Sequence, residues 1–379
     1  MNDTLFTQMK GLGKCVGFRR EESQLFDYLI RNLSLSRTNL NVREKNFISC
    51  LRIDNTTNQL LVSGDNMGRI RLFDLSVLDK CQRDRSEMFV SNTADQQKCH
   101  TKLISSLSWF PSDNGMFISG SMDQSVNIWD VERFSIASHI RYSQPVTDVE
   151  MPTALSFSHK MVAVCCGSNG VSLIDLFSGS TIQEILGAPT RTTCCCWNPK
   201  KEYQLMVGDV NGGCTLFDIR KAAGETVLQS IPPMFEVSVS SCLYSSDGER
   251  FFVTAAEPNP VRMLDGVTLT DIPVSFSSLS PWKKVSLKPC LGGRYLVYPD
   301  GANCVVRIID TESGCCVNTL HGHMDAVTCC CFRENVYEVY SGGRDGFILR
   351  YDAMRVNDSD LHRFQGVEVE DSPSDEWEM

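Results

Sequence analysis

"LHGHMDAVTCCCF", Leu320–Phe332, is followed after a short gap by "SGGRDGFILRYDA", Ser341–Ala353. Histidine, serine, aspartate and three consecutive cysteines in so short a span fit either a reactive site or the framework of a fold. The order His323, Ser341, Asp345, Tyr351 has an earlier counterpart in His100, Ser119, Asp123, Trp129. His323 precedes Phe332, and His100 precedes Trp109, by the same nine residues. A hydrolase triad occurs once and needs a pocket and an oxyanion hole. A set that recurs at fixed spacing reads instead as a structural hydrogen-bond chain linking loop, strand and turn, whose buried polar members satisfy one another. His321 is one residue off this register and reads as an exposed loop residue.

The spacing extends over most of the chain. An apolar or aromatic residue followed by Asp closes a short strand-like segment at Asp74, Asp130, Asp175, Asp218, Asp265, Asp310 and Asp352, in steps of 56, 45, 43, 47, 45 and 42 residues. Steps of roughly 40–45 residues are those of WD-type β-propeller blades. The closing segments, such as "NIWDV" and "TLFDI", are β-branched or aromatic and bounded by Gly, Asn, Asp and Ser. Six residues before each closing apolar residue a turn is expected, at Met67, Asp123, Ser168, Asn211, Pro258, Asn303 and Asp345; Asp and Asn favour tight turns. A single blade leaves two apolar faces open, whereas seven in a ring cover one another. The last repeat shows only three strands, so residues 35–42 are expected to supply its fourth and close the ring. The expected class is all-β: a seven-bladed propeller over 35–355, a helical segment over 1–34 and a disordered acidic tail over 356–379.

Composition agrees. The 379 residues, 42% hydrophobic and 22% charged, are those of a soluble globular chain without a membrane span or secretory signal. Eighteen cysteines without a signal point to a reducing compartment. Many are adjacent, and neighbours on a strand face opposite ways. They read as small buried hydrophobes, not metal ligands or disulfides, and no cofactor is expected. Net charge is −10, of which residues 356–379 hold −7 (eight acids, one Arg), so the body carries −3 and offers no basic stripe for direct nucleic-acid binding. "GLGKCVG", residues 11–17, lacks the spacing of a dinucleotide or phosphate loop.

Ahead of the ring, Leu25, Phe26, Leu29, Ile30 and Leu33 recur at helical spacing, predicting an amphipathic helix over 18–33. Isolated helices of that length are marginal in water, so the stripe needs a surface: the propeller's own flank, or a groove on a partner. In the fourth repeat Arg220 lies two residues past Asp218, at the rim of one face.

Three segments carry a family resemblance: 105–130 ("SSLSWFPSDNGMFISGSMDQSVNIWD"), 194–222 ("CCCWNPKKEYQLMVGDVNGGCTLFDIRKA") and 320–349. "FRREES" and "DEWEM" at the two ends add to it. The chain resembles the Cockayne syndrome group A family, WD-repeat substrate receptors of cullin-RING ubiquitin ligases. The resemblance implies a nuclear, non-catalytic protein. An N-terminal helix and a W-D-x-R arginine would grip the adaptor damaged-DNA-binding protein 1, which joins it to a cullin-4 type scaffold. The propeller would recruit a Cockayne syndrome group B-type repair ATPase at stalled RNA polymerase II, for transcription-coupled nucleotide excision repair. On this implication Arg19, Arg20, Leu25, Phe26, Leu29, Ile30, Asp218 and Arg220 contact the adaptor. Departures are Phe217 in place of the motif's Trp and Gly187-Ala188 in place of Gly-His. The other reading is a WD-repeat scaffold in RNA processing or chromatin, without a ligase.

Overall fold

In a computed structural model the described residues are 18–36, 40, 46–76, 92–93, 99–152, 158–167, 170–176, 178–221, 225–276, 278–280 and 286–353, without the side chains of 18–23, 92–93 and 182. They form seven four-stranded antiparallel sheets, at 48–93, 104–141, 148–186, 192–231, 239–272 and 290–320, with the seventh made of 327–352 plus 34–35. These are blades 1 to 7, with strands a to d running outward from the ring's axis. One helix, α1 (Phe18–Arg31), precedes them. The acidic segment 356–379 lies outside the described residues.

The burial pattern follows from the ring. In blade 2 strand a, Ile104–Trp109, is buried at every position, because both its faces meet neighbouring blades. Strand d, Ser135–Arg141, alternates exposed and half-buried, as an outer strand should.

A repeated device holds blade to blade. Strand a carries a bulge next to its first residue in blades 1, 2, 4, 5 and 7. The bulged residue is always a hydroxyl: Ser49, Ser105, Thr193, Ser240 or Thr328. A bulge turns one side chain away from its own ladder, and in four cases the hydroxyl donates across the joint. Ser49 Oγ reaches Ile104 O at 2.7 Å, Ser105 Oγ reaches Val146 O at 2.7 Å, Thr193 Oγ1 reaches Val239 O at 2.8 Å, and Thr328 Oγ1 reaches Ile48 O. Opposite the bulge in those four blades, strand b has glycine. A Cβ on Gly64 would sit 2.7 Å from Ile104 Cγ2, and one on Gly342 2.7 Å from Ile48 Cγ2. Only a residue without Cβ lets the next blade come this close.

The ring closes at blade 7 through the N-terminal segment. β1 (Ser34–Leu35) pairs antiparallel with Ile348–Asp352, Ser34 opposite Asp352 and Leu35 opposite Tyr351, and Leu40 bridges to Ile348. The rest of the expected closing strand lies outside the described residues. The seam between blades 7 and 1 is also held by buried charge. Glu338 accepts from Tyr340 Oη at 2.8 Å and pairs with Arg333 and Arg350, while Arg333 Nε donates to Asn58 O of blade 1 at 2.7 Å.

Candidate functional site

In blade 2 His100 Nε2 lies 2.8 Å from Ser119 Oγ and Nδ1 lies 3.1 Å from Asp123 Oδ2, and Trp129 Nε1 donates to Ser119 Oγ at 2.9 Å. The loop, strand b, the b–c turn and strand c are thereby tied together. In blade 7 His323 makes the same pair, 2.7 Å to Ser341 and 2.9 Å to Asp345, with Tyr351 fully buried where blade 2 has Trp. The histidines and serines are buried, so neither set presents its serine to solvent. Burial alone would raise both carboxyls. Hydrogen bonds outweigh it and hold them below the usual range: from His100, Ser125 and the Thr101 N–H on Asp123, and from His323 and the Met324 and Phe347 N–H groups on Asp345.

In blades 1, 4 and 6 an aspartate two or three residues before the expected turn position takes over. Asp65 Oδ1 accepts from the N–H groups of Met67 and Arg69, Asp209 Oδ1 from those of Asn211 and Gly213, and Asp300 Oδ1 from that of Asn303. Asp65 and Asp300 also pair with Arg71 at 3.5 Å and Arg307 at 2.7 Å. Sequence reasoning missed these aspartates; their signal was Asp at the end of strand b, two or three positions upstream of the expected turn residue. Ser168, expected at the third turn, lies outside the described residues.

The a–b and c–d turns make the opposite face of the ring, and here α1 is found. The apolar stripe of the helix is divided. Phe26 packs on Tyr295, Phe332 and Tyr337 with ring centroids 5.6, 6.2 and 5.1 Å away, and Ile30 and Leu33 are buried in the core of blades 6 and 7. Asn318 Nδ2 donates to the carbonyls of Ile30, Arg31 and Leu33, closing the helix C-terminus, and Tyr295 Oη donates to Asp27 at 2.7 Å. Ile30, expected as a partner contact, is thus buried in the chain's own wall, while Phe26 packs on that wall and stays half-buried. The physical reason is that Gly293, at φ +57°, leaves room for the Phe26 ring. Leu25 and Leu29 are half-buried. Arg19 and Arg20 lie on α1, but their side chains are outside the described set.

Arg220 stands on the same face at blade 4, with blade 5 between it and the helix's dock. Its guanidinium donates to Asp218 through Nε at 3.0 Å and Nη2 at 2.8 Å and lies 4.6 Å over the Tyr203 ring. It is 62% exposed while Asp218 is buried, and it holds the Asp218 carboxyl below the usual range. Phe217 is fully buried against Trp197 and Leu205, filling the motif's Trp place with an apolar ring.

At the centre of this face is a cavity of about 480 Å³, lined by residues of all seven blades. Its charges are Arg52 and Glu150, 3.7 Å apart, beside the tighter pair Lys288–Asp148 at 3.1 Å. Burial pushes the Glu150 carboxyl up to about 7 against the pull of Arg52. Among the described residues no group of three or more His, Cys, Asp or Glu could hold a metal, and every described cysteine is a free thiol, most of them buried.

Against known proteins, the model of the family "WD domain, G-beta repeat" matches residues 93–130 and 314–352. Those stretches end with the two blades that carry the complete histidine chains. The chain is a WD-repeat β-propeller protein. It is similar to WD repeat-containing protein ATCSA-1 of Arabidopsis thaliana, 24% identical over 86% of this chain and 90% of that one. Radiation-sensitive protein 28 of Saccharomyces cerevisiae is 30% identical over 36% of this chain and 28% of its own. Eukaryotic translation initiation factor 3 subunit I of Drosophila yakuba is 24% identical over 66% and 80%. Among solved structures the Cps50 (Swd1) β-propeller of Myceliophteria thermophila superposes with a TM-score of 0.67 at 17% identity, covering 84% of this chain and 99% of that one.

Proposed function

We propose that this WD-repeat protein is a non-catalytic substrate-recognition subunit of a cullin-RING E3 ubiquitin ligase. It would dock on damaged-DNA-binding protein 1 and act in the nucleus in transcription-coupled repair of ultraviolet damage, bringing a repair ATPase of the Cockayne syndrome group B type to the ligase at stalled RNA polymerase II. A receptor of this kind raises the local concentration of substrate near the ubiquitin-loaded enzyme and needs no active-site residue of its own. Two relatives support the reading, one with a CSA name along nearly its whole length and one named for radiation sensitivity. The observation that carries it is the placement of α1 and Arg220 on one face. The inward ridge of the helix anchors it to blades 6 and 7, Leu25 and Leu29 remain half-buried, and the exposed Arg220 stands on the same face two blades away.

The test is Leu25→Glu with Leu29→Glu, scored by co-purification of the adaptor from ultraviolet-treated cells and by the circular dichroism of the variant. Loss of the adaptor with an unchanged propeller is expected; full retention overturns the reading. One other reading is a WD-repeat scaffold in RNA processing or chromatin with no ligase link; a WD-repeat relative named as a translation initiation factor subunit fits a propeller without a ligase. A pull-down that returns neither adaptor nor cullin supports it.

A further inference from the structure

The central cavity is built as a binding site. At about 480 Å³ it falls within the roughly 300–1,000 Å³ usual for ligand sites, and it opens on the face of the a–b turns. Its charges are unequally satisfied. Lys288 and Asp148 close on each other at 3.1 Å, and Asp148 also accepts from the Cys195 N–H at 3.1 Å. Arg52 donates Nε to Leu107 O at 3.2 Å, which leaves Glu150 only a loose 3.7 Å ion pair. Among the described residues no donor hydrogen-bonds the Glu150 carboxylate, although its side chain is only 16% exposed. Glu334, exposed at the mouth, adds a second negative charge. With Lys288 and Asp148 cancelling, two carboxylates face one guanidinium. A buried carboxylate in that state gains from any further cation that brings N–H donors. Burial also pushes this carboxyl up to about 7, against the pull of Arg52.

We infer that this cavity receives an arginine or lysine side chain presented by a partner protein on the a–b face, with Glu150 as its anchor and Glu334 as its guide at the mouth. The walls suit a long aliphatic stem: Leu243, Leu291, Met151 and Phe332 line the same cavity. The inference does not depend on which protein the partner is, and so stands apart from the ligase reading.

The probe is the peptide acetyl-Gly-Arg-Gly-amide, with acetyl-Gly-Gly-Gly-amide as the neutral control, added to the full chain at pH 8. Binding is read by isothermal titration and by the protein's tryptophan fluorescence. Saturable binding of the arginine peptide alone is expected, weakened about tenfold by Glu150→Gln and more modestly by Glu334→Gln, and weakened again as salt is raised. Glu150→Gln removes an under-compensated buried charge, so its melting temperature should not fall; Glu334→Gln, at an exposed position, guards against a folding artefact. Equal binding of the neutral peptide, no binding of the arginine peptide, or unchanged affinity in Glu150→Gln overturns the inference.

Discussion

Blades 2 and 4 have the same strands and nearly the same size, yet different chemistry holds them. Blade 2 threads its loop, two strands and turn on one polar chain, His100–Ser119–Trp129 with Asp123. Blade 4 has Ala188 in place of the histidine and Phe217 in place of the tryptophan, and its aspartate, Asp209, has withdrawn to close only the b–c turn. A buried polar chain contributes little net energy while complete and costs much when one link is lost. An apolar blade spreads its stability over packing and yields by degrees. Both solutions fit one ring because the joints between blades are made elsewhere, by the bulged hydroxyls and the glycines opposite them.

The contrast can be broken at several points. The largest effect belongs to the packed blade: Phe217→Ala should cost about 3–5 kcal/mol, because a fully buried ring leaves a cavity. Urea unfolding followed by fluorescence measures it. Next is His100→Ala, at about 2–3 kcal/mol, since Asp123 and Ser119 lose their partner inside the blade. The counterpart Ala188→Gly should stay below about 1 kcal/mol. Equal losses at His100 and Ala188 would remove the distinction between the blades.

Acid sharpens the same comparison. The carboxyls of Asp123 and Asp345 are lowered on folding, so their contribution is complete above the ordinary value of 3.8 and is lost as pH falls through the lower folded values. Melting temperature should drop between pH 4 and 2, and Asp123→Asn should flatten part of that drop while lowering stability at pH 7. Trp129→Phe, which keeps an aromatic ring and deletes one hydrogen bond, should cost about 1 kcal/mol. A loss several times larger would show that the indole fills space phenylalanine cannot.

Much of this was legible in the sequence for a definite reason. A propeller repeats, so a residue that carries a role in one blade can be checked in the next, and the two histidine sets identified each other. The features that escaped detection join distant positions. Phe26 and Ile30 are apolar at helical spacing, but that they turn inward is decided by Gly293, Tyr295 and Tyr337, far along the chain. Arg52 and Glu150 sit in different blades and share no motif. The hydroxyl joints did repeat, at Ser49, Ser105, Thr193 and Thr328, but one Ser or Thr among many carries no mark until a bulge turns it toward the next blade.

The seam of the ring has a consequence for how the molecule is made. β1 pairs with a strand about 300 residues downstream, and α1 docks on blades 6 and 7. At roughly 5–20 residues per second, this segment waits some 15–60 s after its own synthesis for its seat to exist. During that interval the stripe of Phe26, Ile30 and Leu33 has no wall to cover it, and a ribosome that stalls before blade 7 releases a product with neither the last blade nor the clasp.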